Sequence, residues 1–223
     1  MINHIDVSTV LRRTVCDLYS NLVTRPTGAA VRTEIELQLA AAGRRTLTVI
    51  DFSNVNLLDF SCADEIVAKL LLRYGAKPAA GEGDARGREP VLPHEGYFLF
   101  RGLHDAHLDA IEAVLERHGL ALVAEGAAGP LLVGAVDEGE RRAWEAMSRL
   151  GAAAAEDLAR VTGQSVRDAE ALLEALCRRR LLMRLDESYV AVAVVAGRRA
   201  VVRGGDGSEP GGSHDGAMGG EAR

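Results

Sequence analysis

The chain has 223 residues, 48% of them hydrophobic and 26% charged, a balance that excludes wholesale disorder and allows one or two domains. No run approaches the roughly 18 uncharged apolar residues of a membrane helix, and the opening residues lack the basic-then-apolar pattern of a signal peptide. The formal net charge of -6 argues against a generic polyanion binder, and Cys16, Cys62 and Cys177 are too scattered for a disulfide framework or a zinc site, which suits a reducing cytoplasm.

Asp6 or Ser8 can cap a first helix, along which Val7, Leu11, Val15, Leu18 and Leu22 recur at helical spacing. Thr24, Arg25, Pro26, Thr27 and Gly28 interrupt it, because a proline disfavours helix in the residue before it. A second helix follows, with Val31, Ile35, Leu39 and Ala42 on one stripe and Gly43 as its C-cap. The β-branched and apolar run from Thr46 to Phe52 predicts a buried strand, and Ser53 to Asn56 a turn. Ser61 opens a third helix carrying Ala63, Ile66, Val67, Leu70 and Tyr74. Residues 76–95, rich in Gly and Pro and without periodicity, read as a flexible insertion. No Gly-Lys-Ser/Thr follows its glycines, so it is no phosphate loop. Tyr97 to Phe100 predict a strand. Leu103, Leu108, Ile111, Val114 and Leu115 mark a fourth helix closed at Gly119, and Leu120 to Ala124 a last strand. This alternation predicts an α/β fold whose sheet has parallel neighbours covered by helices.

A boundary near Gly126 to Pro130 makes residues 1–130 one domain, with Leu131 to Val136 either one more strand or a linker. Residues 131–203 form a smaller α+β second domain. Its first helix spans 138–150 with Trp144, Met147 and Leu150 inward. A short one spans 155–162 with Leu158 and Val161 inward. A third, capped by Ser165, carries Val166, Ala169, Leu173 and Leu176, and a hairpin follows from Leu181 to Val192. Residues 204–223 nearly lack apolar side chains and predict a disordered tail. The surplus acid lies in the first domain and the tail; residues 131–203 hold twelve arginines against eleven Asp and Glu.

Three blocks, Thr24 to Gly28, Val49 to Val55 and Asp59 to Glu65, resemble the signature segments of the STAS-like family. This is a divergent branch of the domain shared by sulphate transporters and anti-sigma-factor antagonists, and the resemblance covers residues 24–125. It implies a mixed sheet with helices and a protein partner, a kinase-type ATPase or an anti-sigma factor. The partner would meet the surface at Asp59, Ser61, Cys62 and Asp64. By position Ser61 matches the serine phosphorylated by a partner kinase in such regulators, and Asp59 the acidic residue before it. Where the family pattern has a second hydroxyl residue and a glycine flanking the site, this chain has Phe60 and Cys62. The 76–95 insertion is foreign to the compact form, and the usual opening strand pair is not evident. Apart from the family, Ser61 ahead of an apolar-periodic run with Asp64 three residues on is a capping arrangement. The same amides would stabilise a phosphoserine, so both readings stand.

Three helices with a short second one, then a hairpin, resemble a winged helix-turn-helix over 137–195. As a DNA reader it would use Arg167 at the start of the third helix and Arg184, Arg198 and Arg199 from the wing. Asp168, Glu170 and Glu174 on the same helix oppose phosphates, and a near-balanced charge is weak for such a role. His104-x-x-His107 is ligand-like. A partner at His118 would lie about 21 Å from His104 along the helix, so no third ligand has the spacing of a metal site. Cys62 in a first helical turn favours a thiolate, against packing as the commoner use of a free cysteine. No Ser/His/Asp or paired-carboxylate arrangement is recognisable. The sequence therefore reads as a non-catalytic cytoplasmic regulator that needs no cofactor or metal. The alternative is a DNA-binding transcription regulator whose first domain is a sensor.

Overall fold

The computed structural model describes residues 2–15, 20–42, 45–75 and 95–196. Strand β1 (Ile2–Asp6) runs into helix α1 (Val7–Thr14), which Asp6 caps by accepting from the amides of Ser8 at 2.9 Å and Thr9 at 3.4 Å. This opening strand is absent from the sequence reading, because five residues with two isoleucines are too few to show an alternation. The expected helix to Leu22 is corrected. α1 ends at Thr14, Val15 is an exposed C-cap, and Leu22 lies in β2 (Asn21–Leu22), paired in parallel with β4 (Leu57–Leu58). Helix α2 (Arg25–Ala41) starts where a break was expected. Thr24 caps it, and Pro26 occupies its first turn, where the helix ladder needs no N–H.

Strand β3 (Arg45–Asp51) leads through β4 to a composite helix, α3, made of Phe60–Ala63 and two wide turns, Asp64–Ala68 and Leu71–Gly75. In the first wide turn the Lys69 amide donates to the Asp64 carbonyl, five residues back. Strand β5 (Glu95–Arg101) and helix α4 (Asp105–His118) follow. Gly119 closes α4 at a left-handed φ of 63°, where a side chain would be strained. Strands β6 (Ala121–Gly126) and β7 (Gly129–Gly134) complete a five-stranded sheet of order β1-β3-β5-β6-β7. The first four strands are parallel and β7 is antiparallel to β6. The boundary expected at 130/131 falls inside β7, so the sheet runs on to Gly134. Gly43, the expected C-cap, lies outside the described residues, as do 76–94 of the expected insertion and the tail 204–223.

The strand order explains where the helices go. Parallel strands added in one direction by right-handed crossovers place every connecting helix on one face. Ile5, Ile50, Phe52, Phe98, Phe100 and Leu122 meet α1, α2, α3 and α4 there in one core. The alternate residues Leu47, Val49, Tyr97, Leu99, Ala121, Val123 and Leu132 point to the other face and join a second core. Its other half comes from the C-terminal unit: α5 (Glu138–Leu150), β8 (Ala152–Ala153), α6 (Ala155–Thr162), α7 (Val166–Arg178), β9 (Leu182–Leu185) and β10 (Ser188–Ala191). The three short strands form an antiparallel sheet of order β8-β10-β9. Trp144, Met147, Leu173, Leu176 and Leu181 are buried in the core shared with the large sheet. Arg180 ties the two parts together: its guanidinium stands 5.3 Å over the Tyr97 ring and donates to the Tyr97 hydroxyl at 3.2 Å. Arg179 reaches Glu140 and the Ala135 carbonyl.

Three inward assignments are corrected. Leu150, Val161 and Val166 are 39%, 58% and 45% exposed, because each sits at a helix end beyond the packed stripe. Ala152–Ala153, between the first two helices of the C-terminal unit, form strand β8, paired with β10.

Candidate functional site

The start of α3 is held by the β2–β4 ribbon. The Asp59 amide donates to the Leu22 carbonyl at 2.8 Å, and the Asp59 carboxylate accepts from the Cys62 amide at 2.8 Å. Asp59 is therefore the cap, not Ser61 as the sequence suggests, because α3 begins at Phe60. Ser61 lies in the first turn and donates its hydroxyl proton to the Asp59 carboxylate, at 2.9 and 3.1 Å from the two oxygens. Phe60 and Leu57 are exposed beside this pair in sequence, as is Val23 at the end of β2. The Arg117 guanidinium stands 6.0 Å from the centre of the Phe60 ring.

Cys62 is fully buried, and its thiol donates to the Thr24 carbonyl at 3.0 Å. Burial, then the Asp59 carboxylate, pushes this thiol up to about 12. The thiolate reading of Cys62 is thereby overturned: at neutral pH it is a protonated packing group. α2 crosses close above it at Gly28, where an added Cβ would stand 3.0 Å from the Cys62 Cα and 3.0 Å from the Glu65 Cβ.

Asp64 does not join the Asp59–Ser61 pair. It is buried and accepts from Arg25 at 3.0 Å and from His118 at 2.9 Å. Glu65, also buried, takes Arg25 at 2.8 Å and Lys69 one turn on. Burial alone would raise both carboxyls. The hydrogen bonds from His118 and Arg25 to Asp64, and from Lys69 and Arg25 to Glu65, hold both below the usual carboxylate range. This network fastens α3 to the start of α2 and the end of α4. Its members Arg25, Glu65 and His118 were not singled out as a set, since they stand far apart in the chain.

His118 is taken by Asp64. His104 and His107 stack with ring centres 3.4 Å apart. His104 Nε2 lies 3.2 Å from the Asn56 carbonyl, and the Asn56 amide nitrogen Nδ2 donates to the Ser20 hydroxyl at 2.8 Å. His107 is fully buried. Burial, then His104, pushes its imidazole down to about 4, against a small pull from the Asn56 carbonyl. Among the described residues no three His, Cys, Asp or Glu side chains converge as a metal-ligand set. No helix among the described residues is long and apolar enough to cross a membrane.

In the C-terminal unit Ser165 caps α7, accepting from the Asp168 amide at 3.1 Å. Arg167, Asp168, Glu170, Glu174 and Arg178 are all exposed along α7. The Arg184 guanidinium stands 5.7 Å over the Tyr189 ring in the β9–β10 hairpin. Arg198 and Arg199 lie outside the described residues. No protein family, curated protein or solved structure matches the chain.

Proposed function

We propose that the protein is a non-catalytic cytoplasmic regulator that binds a protein partner through the start of α3. The blocks at 24–28, 49–55 and 59–65 resemble the STAS-like family, which suggests a kinase-type ATPase or an anti-sigma factor as that partner. The observation that carries the reading is the Ser61 hydroxyl resting on the Asp59 cap, with the exposed Phe60 between them in sequence. A phosphate on Ser61 adds about -1.5 to -2 charges at hydrogen-bond range of a carboxylate. The two groups cannot both keep the helix amides. The phosphate would take the Cys62 N–H and Asp59 would swing outward, recharging the apolar rim of Phe60, Leu57 and Val23. Such a change is large enough to release a docked partner, since like charges at an interface cost several kcal/mol. The test is to reconstitute the chain with the kinase-type ATPase and ATP, map any phosphate by mass spectrometry, and compare capture of that ATPase by wild type, Ser61→Ala and Ser61→Asp. The reading expects phosphate on Ser61 and loss of capture for Ser61→Asp only. Equal capture by all three removes the switch.

DNA binding is the second reading, because 137–195 resemble a winged helix-turn-helix and the first turn of α7 is free of the large sheet's cover. The three acids exposed with Arg167 and Arg178 on α7 weigh against it. A gel shift with the full chain, repeated for Arg167→Ala and Arg184→Ala, separates the two. Salt-sensitive binding lost in both variants would favour DNA.

A further inference from the structure

We propose that Arg25 is the receptor for a phosphate on Ser61, and that this contact draws the first residue of α2 off the acids of α3. The proposal rests on the reading of Ser61 given above and names how its phosphate is read. The geometry of α3 carries it. Asp64 donates its N–H to the Phe60 carbonyl four residues back, so α3 keeps its α-helical spacing that far. At about 3.6 residues per turn, the positions three and four further on straddle the starting residue, with Cβ atoms about 5–6 Å away. Asp64 and Glu65 therefore flank the direction of Ser61. Arg25 bridges these two carboxylates from α2, at 3.0 Å and 2.8 Å. Its guanidinium thus lies on the Ser61 side of α3, one turn from the hydroxyl. Phe60 points the other way, where Arg117 approaches it from α4.

Two features leave Arg25 able to change partners. Both of its bonds leave from Nη1. Nη2 and Nε make no hydrogen bond among the described residues, and such a pair of N–H groups is what grips an oxyanion side-on. The Arg25 side chain is also 51% exposed, whereas those of Asp64 and Glu65 are 11% and 4% exposed. Each acid has another donor: His118 holds Asp64 at 2.9 Å, and Lys69 holds Glu65 from one turn on. Arg25 can therefore turn away without stranding a buried carboxylate. A phosphoserine carries about -1.5 to -2 charges and three acceptor oxygens, more than either carboxylate offers. Arg25 would grip two of those oxygens through Nη2 and Nε, leaving one for the Cys62 N–H, and the bridge between α2 and α3 would loosen. The unmodified hydroxyl has no charge to compete with the acids, so Arg25 stays on them until Ser61 is phosphorylated.

The experiment places phosphoserine at position 61 of the full chain by genetic encoding, so that no kinase is needed. Phosphorus NMR then follows the phosphate between about pH 4.5 and 8, around its ordinary second pKa of about 6. Asp59, Asp64 and Glu65 raise that value in every chain compared, and Arg32, Lys69 and His118 lower it. What is read is the difference that Arg25 makes. The expected result is a value about one pH unit lower with Arg25 than in Arg25→Ala, since an opposite charge in contact moves a pKa by about 1–3. Arg25→Lys keeps the charge without the planar fork and should fall between them. Equal values with Arg25 and Arg25→Ala overturn the proposal. So does a lowering that is lost in Arg117→Ala and kept in Arg25→Ala, which puts the phosphate on the Phe60 side. If Arg25→Ala does not fold, the arginine-labelled wild-type chain decides: its Arg25 Nε–H signal moves on phosphorylation, and an unmoved signal overturns the proposal. None of these readouts needs the partner. Capture of the ATPase lost on phosphorylation with equal pKa values sinks the Arg25 contact alone, whereas unchanged capture with a lowered value sinks only the partner reading.

Discussion

Replacing Asp59 by alanine removes the cap on α3 and isolates what Ser61 does. The Cys62 amide loses its 2.8 Å acceptor, and the Ser61 hydroxyl loses both carboxylate oxygens. Loss of an N-cap side chain costs typically about 1 kcal/mol, within 0.5–2. Loss of negative charge at the helix start adds about 0.3–1 kcal/mol. The expected loss is therefore about 1.5–2 kcal/mol. A chain of this size shifts by about 2–4 °C per kcal/mol, so Asp59→Ala should melt about 3–8 °C lower. Ser61→Ala removes only a partly exposed hydroxyl that caps nothing, and should cost under about 1 kcal/mol, because water replaces the lost bond. Asp59→Asn keeps an acceptor for the Cys62 amide and should fall between the two. Urea unfolding read by circular dichroism and by fluorescence of Trp144, the sole tryptophan, measures all three. A loss for Ser61→Ala equal to or greater than that for Asp59→Ala would refute the assignment of Asp59 as the cap.

Acid should destabilise the protein in two steps. His107 has a folded value near 4, below the ordinary 6.5. The unfolded chain therefore takes the proton first, and stability falls from about pH 6.5 towards pH 4, by at most about 3.4 kcal/mol at 1.36 per unit. Asp64 and Glu65 are held below their ordinary values, so their contribution is complete above about pH 4.5 and is lost as pH falls through their folded values. Urea midpoints in metal-free buffer from pH 7 to 3 check this; a Glu65→Gln curve that parallels wild type below pH 4.5 would remove Glu65 from the account. Gly28→Val should cost about 1–3 kcal/mol by overpacking α2 on α3, because its Cβ would meet the Cys62 backbone at 3.0 Å. Thermal melts test it, and an unchanged melt would show that the helices can part freely. Tyr97→Ala should cost about 3 kcal/mol or more, through the core shared with Trp144 and the Arg180 contact. Fluorescence and circular dichroism should shift together, whereas a fluorescence shift alone would mean that the C-terminal unit unfolds by itself.

The elements visible in the sequence are those with dense local patterns. β3 is β-branched and apolar from Thr46 to Ile50, α4 has both periodicity and Gly119, and the β9–β10 hairpin is bracketed by turn residues. β1, β2 and β4 were invisible because two to five residues carry too little alternation and acquire their geometry from partners far along the chain. At the candidate site, the block around Asp59, Ser61 and Cys62 stood out, but a start of α3 two residues earlier moved the cap from the serine to the aspartate. The Arg25–Asp64 and Asp64–His118 pairs span 39 and 54 residues of chain. Nothing local in the sequence announces a contact over such distances. The same applies to the second core, since the outward-facing residues of a strand that is buried on both sides look like any other apolar run.

The alternation along β3 and β5 has a bearing on how this chain could have been assembled. Each strand contributes neighbouring residues to opposite cores: Leu47 and Val49 to one, Ile50 to the other, then Tyr97 and Leu99 against Phe98 and Phe100. A recombination event that carried residues 137–196 into another gene would strand an oily face on both fragments. The C-terminal unit is thus not a portable cassette. Any lineage that lost it would need to recolour seven sheet positions with polar side chains at the same time, and any lineage that gained it needed that face already bare.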